Sequence, residues 1–340
     1  MNNPRISFGI IVLNGEPFTK YCLRQLYPCA YEIIVVEGGS RKAVREAPDG
    51  HSTDGTLEAL REFKAQEDPE DKVKIITHEG FWNEKDEQSK AYAEVATGDY
   101  LWQVDIDEFY TRKDMDRVCH LLRQNPDISG MSFRQMTFWG APDFYCDNYF
   151  LRSFEYHRLF RWGKGFRYVT HRPPTVYDEK GRDLRKLNWW NAKKTYAMGL
   201  MLYHYSLLLP EQVRKKCSYY STPSDITDKG YNQGIEKWMH NCYLRMGNPF
   251  RVHNMHRYLC WLCPYEGIHP EQILRLWDDI QRGEIDASIR DNADAERLIE
   301  NPLYKMAVFF LNAWTRGLEI IPLHRFWSLW HRLLFKITGI

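Results

Sequence analysis

The stretch Gly98–Tyr110, GDYLWQVDIDEFY, joins a short apolar run to a cluster of carboxylates. Leu101–Val104 is apolar and aromatic enough to form a buried strand, and Asp105, Asp107 and Glu108 follow it at once. Side chains two residues apart in a strand point the same way, so we expect Asp105 and Asp107 to project together. Two carboxylates that close repel each other unless a cation or hydrogen-bond donors compensate them. A divalent cation suits such a pair, whereas the alternative is an acidic turn that faces water.

The residues before this stretch alternate between apolar runs and segments with helical periodicity. Three further buried strands are predicted, at Ile6–Leu13, Glu32–Val36 and Val73–Thr77. One of the helices between them begins near Thr56, where Thr53 or Asp54 can cap it. This alternation predicts a parallel sheet covered by helices on both faces over the first 125 residues. Sheets of this kind bind ligands at the carboxyl ends of their strands, where the acidic residues lie.

The rest of the chain has a different pattern. From Ile128 to about residue 206 we expect strands rich in aromatic and Arg residues, including Tyr149–Trp162, and after Pro210 helices nearly to the end. The segment Arg152–Arg172 mixes basic and aromatic side chains, which suits sugars and diphosphates, single-stranded nucleic acid, or simply a sheet with a basic solvent face.

Bulk composition narrows the function classes. The chain has 340 residues, 44% of them hydrophobic and 27% charged, which is typical of a folded globular protein with a sizeable core. A net charge of +1 gives no global field that would recruit nucleic acid. The eight Cys lack the spacing of a disulfide framework, and no signal-peptide layout or 18-residue apolar run is present. We therefore expect a cytoplasmic protein.

The first half resembles a family 2 glycosyltransferase of the inverting, bacterial surface-polysaccharide type. The residues that carry the resemblance are Ile10–Asn14 with Glu16, Glu32–Ser40 with Ser52–Thr56, and Gly98–Tyr100 leading to Asp105–Glu108. It implies a GT-A fold, which is an α/β fold with a Rossmann-like, mostly parallel central sheet flanked by helices, here with a helical C-terminal extension. It also implies transfer of a sugar from a nucleotide-diphosphate sugar to an acceptor hydroxyl, with Mg²⁺ or Mn²⁺. The acceptor is a glycan, with a lipid-linked glycan as one open alternative.

The same resemblance divides the chain and assigns roles. Residues 1–125 would form the nucleotide-sugar-binding half of the GT-A domain, 126–209 the acceptor-binding and metal-completing half, and 210–340 a helical C-terminal region with an amphipathic tail. The residues expected to contact the nucleotide sugar are Asn14, Glu16, Glu37, Gly39, Asp54 and Asp105. Asp107 is the expected metal ligand, and His204 resembles the late His that closes the metal site in many relatives, with His171 as its competitor.

The chain departs from the family pattern in two places. Arg41–His51 intervene between Ser40 and Ser52, so the loop that lines the nucleotide is longer. Glu37 stands where Asp is more usual, and its side chain is one methylene longer.

The base of an inverting transfer has to lie within hydrogen-bond reach of the acceptor hydroxyl. Four carboxylates in the second half are candidates, and we favour Glu155 or Asp143 over Asp147 and Asp178.

Two other functions stay open. A sugar-phosphate nucleotidyltransferase shares the sheet and metal chemistry, but would normally show a Gly-rich, basic loop where this chain has Asn14–Pro17. A non-catalytic carbohydrate-binding relative would keep the fold.

The C-terminal tail has an amphipathic pattern. Its apolar residues fall at helical spacing and basic residues are interspersed: Phe326, Trp330, Leu333, Leu334 and Ile337, with Arg325, Arg332 and Lys336. Such a helix suits the inner face of the cytoplasmic membrane, as a peripheral contact near a lipid-linked acceptor. Packing on the protein's own core, or a dimer contact, is the alternative.

Overall fold

The structure is a computed structural model that describes residues 3–221, 235–253 and 259–320. The chain forms two compact units, each built from segments that are separated in the sequence. The first unit contains the residues up to Gln135, Glu155–His204 and Ile268–Ala287; the second contains Met136–Phe154, Tyr205–Gly267 and the residues from Ser288 onward. Each unit combines distant segments because strands far apart in the sequence pair with one another.

The first unit is built on a seven-stranded, mostly parallel sheet. Its strands are β1 (Ile6–Val12), β2 (Glu32–Glu37), β3 (Val73–Ile76), β4 (Tyr100–Gln103), β6 (Gly130–Phe133), β9 (Tyr156–Arg161) and β12 (Trp189–Trp190), in the order β12-β6-β9-β4-β1-β2-β3. The predicted parallel pairing is confirmed for β4, β1, β2 and β3. Strand β9 is antiparallel to both β4 and β6. The central strands β4, β1 and β2 are mainly apolar and almost entirely buried, as expected for a sheet with both faces covered.

Helices flank this sheet. They are α1 (Thr19–Leu26), α2 (Thr56–Gln66), α3 (Lys85–Val95), α4 (Arg112–Gln124), α6 (Ala192–Ala197) and α9 (Glu271–Gln281). The first unit also holds the short strand β5 (Glu108–Phe109), which pairs with the start of β13 (Leu202–Leu207), and the hairpin of β10 (Arg167–His171) with β11 (Pro174–Tyr177). The predicted α/β class with a parallel-rich sheet is confirmed.

The second unit combines antiparallel strands with helices. Its elements are β7 (Gln135–Trp139), β8 (Ala141–Asp147), β14 (Trp261–Pro264), α5 (Tyr149–Ser153), α7 (Pro210–Ser221), α8 (Ile235–Trp238) with a π turn over Met239–Tyr243, α10 (Ala293–Glu300) and α11 (Pro302–Ile320). The expected helical C-terminal region is thus present. Among the helices in the described ranges, none is long and apolar enough to cross a membrane. The tail predicted over Phe326–Ile337 lies outside the described residues.

Two local predictions were wrong. The predicted strand Tyr149–Trp162 begins as helix α5, because the side chain of Asn148 accepts a hydrogen bond from Leu151 N at 2.7 Å, which is helix-capping chemistry. The region expected to be helical after Pro210 contains β14, which pairs antiparallel with β8.

Helix α3 packs directly on β1 at Gly9. A Cβ atom at residue 9 would lie 2.5 Å from the ring of the buried Tyr92, so a larger side chain cannot fit without displacing that ring. We predict that Gly9→Ala lowers the free energy of unfolding by about 1–3 kcal/mol, the usual cost of overpacking a core. Gly163→Ala is the matched control, because its nearest neighbour is 3.8 Å away. Urea unfolding checks both variants, and equal stability of the two would contradict the predicted close packing.

Candidate functional site

The acidic residues after β4 form a turn. Strand β4 ends at Gln103, and Glu108 N donates to Asp105 O at 2.9 Å. Asp105 N in turn donates to the Glu108 carboxylate at 3.1 Å. The strand alternation used above to align Asp105 with Asp107 therefore does not apply, and the two carboxylates have different partners.

Arg158 on β9 is the partner of Asp105. Because β9 pairs antiparallel with β4, its guanidinium lies 3.1 Å from Asp105 Oδ2 and in close contact with Glu108 Oε1. The Arg158 and Glu108 side chains are both buried. Burial works to raise the pKa of Asp105, but Arg158, with smaller contributions from His171 and Lys85, outweighs burial and lowers that pKa to about 2. Burial dominates at Glu108 and raises its pKa to about 7 despite Arg158.

His204 is the partner of Asp107. Strand β13 pairs with β5 so that His204 stands opposite Glu108, and its Nε2 lies 3.5 Å from Asp107 Oδ1. The other ring nitrogen, Nδ1, lies 2.8 Å from Nε2 of Gln135, which fixes the orientation of the ring. The structure therefore brings together the two residues that the resemblance assigned to a metal, Asp107 in the turn before β5 and His204 on β13, although they are far apart in the sequence. It provides a carboxylate oxygen and an imidazole nitrogen side by side.

His171, the competing metal ligand, has other contacts. Its Nδ1 lies 2.9 Å from Ser89 Oγ, and its backbone N donates to Asp86 Oδ1 at 2.7 Å. Burial lowers the pKa of His171 to about 3, so the ring is neutral at physiological pH.

The end of β1 is tied to the start of α2. Asn14 has a positive φ of 53°, and its Oδ1 accepts from Thr53 N at 2.8 Å. Glu16 N donates to Asp54 Oδ2 at 3.3 Å, while Asp54 Oδ1 accepts from Thr56 N at 3.2 Å. Three of the residues expected to contact the nucleotide, Asn14, Glu16 and Asp54, thus form one connected group.

The inserted segment 41–51 folds back onto Glu37. One carboxylate oxygen of Glu37 accepts from Ser52 N at 2.7 Å, and the other lies 2.9 Å from His51 Nδ1. The Glu37 side chain is fully buried by these contacts. Gly39 N donates to Gly50 O at 2.7 Å, and a Cβ at Gly39 would lie 2.9 Å from Ala43. Both Glu37 and Gly39 therefore hold the inserted loop in place.

The two favoured base candidates fall in different units. Glu155 is half-buried in the first unit, directly before β9, and the described residues give it no hydrogen bond or ion pair. Asp143 is exposed on β8 in the second unit, where its backbone O accepts from Tyr265 N at 2.7 Å.

Three contributors to the site were not singled out from the sequence, namely Arg158, Gln135 and His51. Arg158 was one of several arginines in an aromatic stretch, and strand alternation within Tyr156–Arg161 could have shown that it points inward. Gln135 was detectable as an isolated amide in the run GMSFRQMTFW.

Comparison with known proteins gave matches among solved structures. No family model and no curated protein matched the chain. The S. aureus TarS structure 1-349 aligns with 73% of this chain and 75% of its own at 12% identity, with a TM-score of 0.34. The same protein in complex with UDP-GlcNAc aligns with 73% of this chain and 76% of its own at 11% identity and a TM-score of 0.37. A glucosyl-3-phosphoglycerate synthase from Mycobacterium tuberculosis, in complex with Mn²⁺, uridine diphosphate and glucosyl-3-phosphoglycerate, aligns with 40% of this chain and 45% of its own at 16% identity and a TM-score of 0.29.

These likenesses are too distant to decide the function.

We predict that Arg158→Met destabilises the fold more at pH 8 than at pH 5. Without the guanidinium, the pKa values of Asp105 and Glu108 rise in the folded protein. Both groups then ionise more readily in the unfolded chain, so the free energy of unfolding falls as the pH increases. Removing one partner of a buried ion pair typically costs about 3–5 kcal/mol, and we expect that loss at pH 8. Urea unfolding at the two pH values measures the difference. An equal loss at both would contradict the assigned charge compensation.

Proposed function

We propose that this chain is a GT-A glycosyltransferase of family 2 type that uses a divalent metal. In the proposed reaction it transfers a sugar, with inversion, from a nucleotide-diphosphate sugar to a glycan hydroxyl. The observation that carries the proposal is the pair of Asp107 and His204, with donor atoms 3.5 Å apart beside the end of β4. Ligand atoms at that separation can both reach one ion at about 2.0–2.2 Å.

The donor set fits a divalent ion that is completed by substrate. Within the described residues no group of three His, Cys, Asp or Glu could hold a metal, so Asp107 and His204 would supply two ligands. Diphosphate oxygens and water would supply the others, as is common for Mg²⁺ sites. The imidazole favours Mn²⁺ over Mg²⁺, because Mg²⁺ takes mainly oxygen ligands. When bound, the ion would stabilise negative charge on the departing nucleotide diphosphate.

Gln135 would determine which ring nitrogen of His204 carries the proton. As placed, the Gln135 amide nitrogen faces Nδ1 of His204, which leaves the proton on Nε2. A half-turn of the amide would present its oxygen to an Nδ1 proton and leave the Nε2 lone pair for a metal. Gln135 is thus the orienting partner that metal-binding histidines usually have.

The transfer itself needs a base and a leaving group. The acceptor oxygen would bond to the anomeric carbon as the bond from that carbon to the diphosphate oxygen breaks. The hydroxyl proton would pass to a carboxylate, for which we propose Glu155, because it directly precedes the strand that carries Arg158. The group formed by Asn14, Glu16 and Asp54 would line the nucleotide at the carboxyl ends of β1 and β2.

We predict that Asp107→Asn and His204→Ala each weaken Mn²⁺-linked nucleotide binding by more than about tenfold, since each removes a metal ligand. Asp116→Asn is the control, because Asp116 is an exposed acid paired with Arg112 on α4. Calorimetry with UDP, GDP, dTDP and CMP, with and without Mn²⁺, measures the effect. Metal-independent binding that survives Asp107→Asn would contradict the metal role, and no nucleotide binding at all would favour a non-catalytic carbohydrate-binding relative.

We predict that Glu155→Gln lowers the rate of sugar transfer by about 10²–10⁴-fold, the usual contribution of a general base. Its affinity for Mn²⁺ and nucleotide should stay unchanged. Asp143→Asn is the matched comparison. For both variants the transfer rate is measured as nucleotide release from the nucleotide sugar that the parent chain uses. A large loss in Asp143→Asn with none in Glu155→Gln would transfer the role to Asp143. Formation of a nucleotide sugar from a nucleoside triphosphate and sugar phosphate would instead favour a nucleotidyltransferase.

A further inference from the structure

Helix α11 is apolar on two opposite sides. On its inner side Tyr304, Val308 and Leu311 pack with Trp261 and Cys263 in the core of the second unit. Its outer face is formed by large apolar side chains that remain exposed, namely Leu303 (70%), Met306 (52%), Phe309 (68%), Phe310 (64%) and Trp314 (58%). A row of this size on one 19-residue helix is unusual for a surface that meets only water.

Polar contacts fix the rotation of the helix about its axis. The Tyr304 hydroxyl donates to Leu262 O at 3.0 Å and accepts from Leu262 N at 2.9 Å. Near the other end, Arg152 Nη1 donates to Thr315 Oγ1 at 3.2 Å. The outer face therefore cannot turn inward without breaking these bonds.

The charges around the outer face are basic. Residues 302–316 contain Lys305 and Arg316 and no acidic residue, and both basic residues are exposed. From residue 302 to the end, the sequence holds five Lys or Arg and one Glu. The rest of the chain holds 41 Lys or Arg and 44 Asp or Glu, so the sequence from residue 302 onward has an excess of basic residues that the rest lacks.

We propose that the outer face of α11 lies on the surface of an anionic lipid bilayer. Aromatic and aliphatic side chains would enter the headgroup boundary, while Lys305 and Arg316 meet the lipid phosphates. A second copy of the chain fits less well, because a symmetric contact through this face would bring the basic residues Lys305 and Arg316 of one copy close to those of the other. The segment 321–340 also fits less well, since its Arg325, Arg332 and Lys336 would add to the same positive charge. The proposal does not depend on glycosyl transfer.

Co-sedimentation of the full chain with phosphatidylglycerol–phosphatidylcholine vesicles tests this proposal. We expect binding to these vesicles, at least tenfold weaker binding to phosphatidylcholine alone, and further weakening by salt. Phe310→Glu and Met306→Glu should each reduce binding at least tenfold. Leu274→Glu is the matched control, because Leu274 on α9 is 51% exposed, nearly the same exposed fraction as Met306. The Leu274→Glu variant should bind vesicles like the parent chain.

Three results would overturn the proposal. The first is that the full chain does not bind anionic vesicles, and the second is that Phe310→Glu binds them as well as the parent chain does. The third is that Leu274→Glu loses as much vesicle binding as Phe310→Glu. Light scattering can give a fourth such result: a dimer of the parent chain that the Phe310→Glu substitution dissociates, together with no vesicle binding. Circular dichroism of each variant ensures that a loss of binding is not a loss of fold.

Discussion

The contact of Arg158 with Asp105 and Glu108 makes the rest of the site possible. The buried Glu108 carboxylate, the partly buried Asp105 carboxylate and the buried Arg158 guanidinium lie together at the end of β4. Without the positive charge, the turn that follows the strand would have to protonate or rearrange, because isolated carboxylates are costly to bury. Arg158 reaches this position because β9 runs antiparallel beside β4 in the same sheet.

This arrangement separates the two aspartates by role. Asp105 is in contact with the guanidinium of Arg158, whereas Asp107 lies beside the imidazole ring of His204. A metal at Asp107 would therefore add charge at only one of the two positions. The turn lies where open α/β sheets bind their ligands, at the carboxyl end of a central strand.

Sequence reasoning found the parallel orientation of β1 to β4, because apolar runs separated by helical segments have few other solutions. It also singled out Asp107 from the paired carboxylates after β4. His204 was named only through a resemblance, since nothing local marks a residue on β13 as the neighbour of one near β5. The geometry of the acidic turn could not be predicted, because it depends on Arg158 across a non-local strand pair. The two contacts of the Glu37 carboxylate were missed for a similar reason, as the inserted loop closes on it through His51 and Ser52.

A crystal grown with Mn²⁺ and the nucleotide that binds best, measured at the manganese absorption edge, tests the central claim most directly. We predict an anomalous peak within about 2.2 Å of Asp107 Oδ1 and His204 Nε2, with diphosphate oxygens completing the coordination. Arg158 should stay in contact with Asp105 and Glu108. A nucleotide bound with no peak beside Asp107, or a peak held by other residues, would contradict the proposed metal centre.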